Sequence, residues 1–323
     1  MDYLAAKQNL ATTLSETVSI LQQIDLKQLD AKTNWSAVVA DLLAIEDDAY
    51  EDALRVAQNL FRQDEEVIIG YLEEIKSMAY EQKQMPDWEF WLLLVTAYLA
   101  TRSVEQWKEA YTPILLSVMV ASSLYMATLI DITSDPEVLT TYMYSSTWFQ
   151  NYVLKFADTV SNTTENAIRQ ILDRAIDESY SVDKVRRQLQ ETFQVWIDGM
   201  DAADPDFRFL LDRVPSYRSQ IIARTELNRA MNAANYQQMT QWGARYKTWF
   251  TALDERVRDS HIQAHGQIRS MQELFVTGMG SKMTFPMDQS HGAPAEDIIQ
   301  CRCVAIYTFD KEEAERVAEK YDE

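Results

Sequence analysis

Residues 241–251 read QWGARYKTWFT, and the period of the chain changes inside them. Upstream, apolar residues follow helical spacing. A helix is expected from about 216 to 242, stopped by Gly243, because glycine takes the left-handed helix-ending conformation most readily. Downstream, Tyr246-Lys247-Thr248-Trp249-Phe250-Thr251 mixes aromatic and polar side chains in the manner of a strand. The expected fold class is therefore mainly α: a long-helix N-terminal region followed by a small α+β C-terminal module.

Glycine usage marks the same boundary. The 323 residues hold only 7 glycines and 7 prolines, and Gly70 and Gly199 are the only glycines among the first 200 residues. A chain so poor in turn-formers is built from long helices. Leu4, Leu10, Leu14, Val18, Leu21 and Ile24 predict a helix over 3–29. Ser36 is a candidate cap for a second helix carrying Val38, Val39, Leu42, Leu43 and Ile45, and one or two helices follow over 50–82 until Pro86 and Asp87. Residues 88–109 and 113–130 form an apolar pair, Asp135–Pro136 marks a turn, and 137–160 are helical again. Ala167, Ile168, Ile171 and Leu172 stripe the next helix. Ser181 caps another with Val185, Leu189, Phe193 and Trp196, ended by Gly199 and Asp204–Pro205. Past Gly243, 257–266 is a short helix or turn, 275–292 is loop-rich, 294–299 is a short helix, 301–309 is β-rich, and a charged helix starts at Asp310. The expected divisions are 1–150, 151–242, 243–309 and 310–323.

Net charge is −20, with 15 Lys/Arg against 31 Asp/Glu in residues 1–200, which excludes a general nucleic-acid binder. Residues 208–258 run the other way: Arg208, Arg213, Arg218, Arg224, Arg229, Arg245, Lys247, Arg256 and Arg258 face only Asp212, Glu226, Asp254 and Glu255. That strip reads either as a partner-facing surface or as a helix balanced by the acidic half. Two cysteines, Cys301 and Cys303, make no disulfide scaffold. With one residue between them they are too close for ordinary disulfide geometry, so a reducing compartment is expected. Residues 111–130 carry no charge and have the length of a membrane span, but five Ser/Thr, Pro113 and the absence of flanking basic clusters favour a buried core helix.

All three histidines, His261, His265 and His291, lie with Cys301 and Cys303 in one 43-residue window. Imidazole and thiolate are the usual zinc ligands, so His261, His265, Cys301 and Cys303 are the candidate metal ligands and zinc the candidate cofactor, with Asp254, Asp259 or His291 as substitutes. On a strand the two cysteines would point to the same side. The competing reading is two small core cysteines and hydrogen-bonding histidines. The run from Trp249 through Asp254, Arg256, Arg258, Asp259 and His261 to Gly266 reads as an acid–base cluster or as a polar core tying strand, turn and helix together. No P-loop, nucleophile elbow or GxGxxG accompanies it. Arg224, Asn228, Asn232 and Asn235 form one polar stripe on the preceding helix. Asparagine is a poor helix former, so the stripe suggests hydrogen bonds to a particular surface or a solvated face.

Taken together, IIARTELNRAMNAAN (221–235), KTWFTALDERVRDSHIQAHGQ (247–267), ELF (273–275), FPMD (285–288) and GAPAEDIIQCRC (292–303) resemble the C-terminal domain of the phage Mu F-like head morphogenesis family, the minor head proteins of tailed phages. The resemblance covers about 150–305. The family pattern falls on Arg224, Glu226, Asn228, Trp249, Asp254, Arg256, Arg258, His261, Gly266, Cys301, Arg302 and Cys303. Gln300 stands where the family often has asparagine, and Glu178-Ser179-Tyr180 where a glycine is common.

The resemblance implies a virion protein inside the head near the portal vertex, made in the host cytoplasm, supporting head assembly, DNA packaging or DNA ejection, and not an enzyme. The implied partner is the portal protein, with scaffold or major capsid protein and packaged DNA as further candidates. Two other readings stand beside it. One is an enzyme, ADP-ribosyltransferase-like or a metal-dependent hydrolase, using Asp254, His261 and Cys301. The other is an ejection protein whose apolar segment contacts a membrane.

Overall fold

The computed structural model describes residues 35–82, 86–130, 132–178, 180–198, 217–252 and 254–320. The helix expected over 3–29, the stop at Gly199 and Asp204–Pro205, and Arg208, Arg213 and Ser179 lie outside the described residues. The chain is mainly helical: α1 (Trp35–Gln82), α2 (Trp88–Tyr98), a π-helical turn (Leu99–Ser103), α3 (Val104–Leu129), α4 (Pro136–Ser145), α5 (Thr147–Asp177), α6 (Val182–Asp198) and α7 (Arg218–Gln241). The C-terminal module follows: β1 (Tyr246–Phe250), α8 (Asp259–Ile262), β2 (Ile268–Ser270), β3 (Phe275–Val276), β4 (Lys282–Met283), α9 (Ala295–Ile298), β5 (Val304–Thr308) and α10 (Lys311–Lys320).

Local chemistry accounts for three helix starts. The Asp87 side chain accepts from Phe90 N at 2.9 Å and starts α2. Asp135 accepts from Glu137 N at 2.8 Å, with Pro136 in the first turn of α4, where its missing N–H costs nothing. Ser181 Oγ accepts from Lys184 N at 3.3 Å ahead of α6. One expected break, between 45 and 50, is absent. Ser36 sits inside α1, and the segments around 38–45 and 50–82 are one 48-residue helix, since no proline interrupts them and Gly70 alone is tolerated. The helix expected over 137–160 instead breaks at Ser146, whose backbone is extended, and its second half continues into the next predicted helix as the 31-residue α5.

The chain divides into two compact units interleaved in sequence: 52–112 with 147–222, and 1–51 with 113–146 and 223–323. The first unit is organised around an aromatic cluster. Phe61 meets Trp107 at 5.0 Å, Trp196 at 5.3 Å and Phe193 at 6.4 Å between ring centroids, and Trp107 stacks on Tyr111 at 5.6 Å. The buried Arg218 guanidinium lies over Phe61 and Trp196 and donates to Thr164 Oγ1 at 2.9 Å and Val160 O at 2.8 Å. The buried Asp64 carboxylate accepts from Tyr98 Oη at 2.8 Å and Trp107 Nε1 at 3.3 Å. Arg218 and Asp64 thus both have partners, without which their burial would be costly.

The second unit contains the three-stranded antiparallel sheet β2-β1-β5 and the β3-β4 hairpin. Across β1 and β5, Tyr246 faces Thr308, Thr248 faces Ile306 and Phe250 faces Val304. In the same unit Arg224 reaches the buried Glu46 at 3.1 Å, also pairs with Asp47, and covers the Tyr50 ring at 4.2 Å. Burial raises the Glu46 carboxyl to about 7, against the attraction of Arg224. Residues 88–129 are long and apolar enough to cross a membrane, with a mean hydropathy of 1.6 in their most apolar window, but 78% of that window is buried, as in a core helix.

Truncating the centre of the aromatic cluster tests this packing. Phe61→Ala is expected to lower unfolding free energy by about 3–5 kcal/mol, whereas Leu93→Ala, at a side chain 63% exposed, changes it by less than about 0.5 kcal/mol, both read from urea denaturation.

Candidate metal centre

The site is assembled by three short segments and one long helix. After β1 the chain turns through 254–258 into α8, a single helical turn that presents His261 inward; its N–H bonds to Arg258 O at 2.9 Å. Gly266, at φ +71°, closes that turn by donating its N–H to Trp249 O at 2.9 Å. Downstream, α9 places Asp297 in the interior. The chain then reverses through Gln300 at φ +55°, a left-handed conformation that asparagine adopts more readily than glutamine. Gln300 N donates to Thr225 Oγ1 at 3.0 Å.

Cys301 and Cys303 precede β5 rather than lying on it, since the strand begins at Val304. Strand alternation therefore does not align them. The local turn does: Cys301 N bonds to Ile298 O at 3.1 Å, and Cys303 N donates to Cys301 Sγ at 3.4 Å. Both thiols face one atom, His261 Nδ1, at 3.5 Å from Cys301 Sγ and 3.4 Å from Cys303 Sγ. The other ring nitrogen, Nε2, donates to Asp297 Oδ1 at 3.1 Å. Asp297 is held in turn by Ser260 Oγ at 3.0 Å and Thr277 Oγ1 at 2.6 Å. The Trp249 ring meets His261 edge to face at 5.5 Å and Phe275 at 5.3 Å.

Helix α7 braces the cysteine loop from behind. Asn228 Nδ2 donates to Cys301 O at 2.7 Å and Cys303 O at 3.3 Å, and Asn232 Nδ2 to Cys303 O at 3.0 Å. The asparagine stripe is thus an internal surface for the C-terminal module, with Asn228, Asn232 and Asn235 all buried. Arg224, at the head of the stripe, serves Glu46 and Asp47 instead, and Glu226 pairs with Arg229 at 3.0 Å.

The cluster is electrically polarised. Burial pushes the Cys301 thiol up, but hydrogen bonds from Cys303 and His261 and the imidazolium charge outweigh it and hold Cys301 well below its usual value. Cys303, buried beside that sulfur, is pushed well above its usual value. Burial pulls the His261 imidazole down, yet Cys301 and Asp297 bring it above its ordinary value.

The remaining expected site residues divide. His265 is not part of the cluster: its Nδ1 accepts from Thr251 N at 3.2 Å and its ring packs on Phe250 at 5.5 Å. The i,i+4 relation fails to align the two histidines because α8 ends at Ile262. His291 lies near Thr284 Oγ1 at 3.2 Å and Asp288 at 3.8 Å, and Asp259 is exposed at the start of α8. Asp254 pairs with Arg302 and, at 3.5 Å, with Arg256. Arg258 donates to Ile299 O. These charges tie the loop before α8 to the cysteine segment from outside the His/Cys group. Among the described residues, only His261, Cys301 and Cys303 gather metal-binding atoms within 4.8 Å of one another.

Asp297 and Lys247 were not legible as site residues. An acidic residue four positions before Cys301 was the only available signal for Asp297. For Lys247, a charge within an apolar strand pattern was the signal. Lys247 is fully buried; its Nζ donates to Met271 O at 3.1 Å and Thr284 O at 2.6 Å and lies 5.1 Å from both the Tyr236 and Phe275 rings. Asp288 shapes the facing loop, accepting from Thr284 N at 2.9 Å and Ser290 N at 2.8 Å.

Residues 166–306 match the family described as Phage Mu protein F like protein. This stretch is a Mu F-like domain. Minor head protein GP7 of Bacillus phage SPP1 is 34% identical over 98 residues, 29% of this chain and 31% of that protein. An uncharacterized protein of Haemophilus influenzae is 32% identical over 106 residues, 32% of this chain and 20% of that protein. The chain thus spans less than a third of the length of either relative. No solved structure matches it.

Two outcomes follow for the Mu F-like domain. Asn228→Ala leaves the Cys301 carbonyl without its 2.7 Å donor and is expected to cost about 1–3 kcal/mol in chemical denaturation. Burial lowers Lys247 to about 8, while the unfolded chain keeps its proton to about 10.5. The unfolded state therefore binds more protons across that window, and stability lost to the buried charge below pH 8 is recovered as pH rises toward 10.5. Relative to Lys247→Met, the native protein should gain up to about 3 kcal/mol between those limits, measured by urea unfolding of both proteins across the range.

Proposed function

We propose that this protein is a minor head protein of a tailed phage, seated inside the procapsid near the portal vertex. The observation that carries the reading is the Mu F-like domain at 166–306, supported by 34% identity over 98 residues to a phage protein named for that role. In this reading the protein binds the portal protein, with scaffold or major capsid protein as neighbours, and supports head assembly, DNA packaging or DNA ejection. It is made in the host cytoplasm and retained in the virion. A net charge of −20 suits a neighbour of packaged DNA that must let the polymer slide, because like charges do not hold it. The region 1–150 supplies docking surface. Val138, Tyr142 and Tyr144 on α4 are exposed apolar or aromatic side chains of the kind that interfaces use.

The role is structural rather than catalytic. Cys301, His261 and Asp297 line up in the order of a nucleophile, base and orienting acid, the arrangement that favours the enzyme reading. Their exposures are 2%, 1% and 0%, so no substrate bond has access to the sulfur, and the alignment serves the interior of the module.

Cross-linking mass spectrometry of intact procapsids tests the assignment. Cross-links between this chain and the portal protein are expected. Purified heads that lack the chain altogether would remove the reading.

A further inference from the structure

We propose that the Mu F-like domain holds one structural zinc ion, bound by His261 Nδ1, Cys301 Sγ and Cys303 Sγ. The donor spacing carries the argument. Zinc sits about 2.3 Å from sulfur and about 2.0–2.1 Å from imidazole nitrogen in a tetrahedral site, which separates a sulfur from a nitrogen by about 3.6 Å. The two sulfur–nitrogen separations here are 3.5 and 3.4 Å, and all three donor atoms lie within 4.8 Å of one another.

The surroundings have the form that a metal-binding histidine requires. A ligating imidazole turns one nitrogen to the metal and donates from the other to a carboxylate, which fixes its tautomer and orientation. His261 offers Nδ1 to the thiols, and its Nε2 donates to Asp297 Oδ1 at 3.1 Å. Asp297 is itself immobilised by Ser260 and Thr277. It therefore acts as a positioning residue and not as a ligand, since it lies on the opposite edge of the ring from the sulfurs. Asn228 and Asn232 fix the backbone carbonyls of both cysteines, so the thiols are held in place before any ion arrives.

Charge points to a soft dication. Binding releases two protons from the His261, Cys301 and Cys303 group, and two thiolates with one Zn²⁺ and a neutral imidazole form a cluster of zero net charge. Such a cluster tolerates an interior in which all three side chains are buried, whereas an isolated charge there is costly. Two sulfurs and one imidazole select zinc over the oxygen-seeking magnesium and calcium. Among the described residues His261, Cys301 and Cys303 supply three ligands, and a neutral water in the fourth position would keep the cluster uncharged.

The test uses the full chain, purified without chelator and dialysed, and does not depend on the head-protein reading. Elemental analysis is expected to give about one zinc per chain. Cobalt(II) exchanged into the same protein should show the visible bands of a tetrahedral site and a near-ultraviolet thiolate charge-transfer band. Cys303→Ser should weaken that band by roughly half. His291→Ala, at the exposed histidine outside the cluster, should leave metal content and spectrum unchanged. Should Cys303→Ser fail to fold, the wild-type cobalt spectrum remains decisive. A folded wild-type protein with less than about 0.1 zinc per chain and no cobalt spectrum overturns the site, as does a charge-transfer band that persists at full strength in Cys303→Ser.

Discussion

The C-terminal module depends on one contact: a single imidazole nitrogen facing two thiols in the interior. His261 Nδ1 draws Cys301 and Cys303 to 3.5 and 3.4 Å, and this converts a loop of unremarkable sequence into a fixed point. The polar side chains gathered around that point satisfy atoms that the contact has taken from water. Asp297 answers the far nitrogen of the ring, and Ser260 and Thr277 answer Asp297. Asn228 and Asn232 answer the cysteine carbonyls. A network of this kind is costly if any member lacks its partner, because the low-dielectric interior magnifies both the bonds made and those missed. It ties α7, α8, α9 and the start of β5 into one body even though α8 and α9 are single turns too short to be stable alone.

The helical unit built from 52–112 and 147–222 solves a different problem. Its helices bury aromatic surface around Phe61 and then place Arg218 and Asp64 into that interior. The guanidinium uses ring faces and helix carbonyls as its surroundings; the carboxylate uses a phenol and an indole. Here the polar groups decorate a core that hydrophobic burial has already formed, whereas in the C-terminal module the polar groups make up much of the core itself. That difference explains why motif residues concentrate in the module while the helices carry ordinary periodic patterns.

Much of the candidate site was legible because its residue types are rare in this chain. Three histidines and two cysteines in one short window announce themselves, and asparagine on a helix stripe is hard to explain without a partner surface. What stayed hidden was the pairing. His261 and His265 look equivalent at i,i+4, yet α8 stops at Ile262 and His265 turns to Thr251 and Phe250. Asp297 is one acidic residue among 50 Asp and Glu, marked only by lying four positions before Cys301. Lys247 resembles any exposed strand lysine until the carbonyls of Met271 and Thr284 are seen to enclose its ammonium.

Sequence alone determined the mainly helical class, the change of period at Gly243, the cap at Ser181 and the membership of the His/Cys window. These are local properties, written in spacing, in side chains that bond to their own backbone and in residues that favour particular φ. Tertiary structure alone decided that the break falls at Ser146 and which histidine meets the thiols. Those outcomes turn on contacts between residues tens to hundreds of positions apart, whose energies exceed local propensity and leave no periodic trace in the chain.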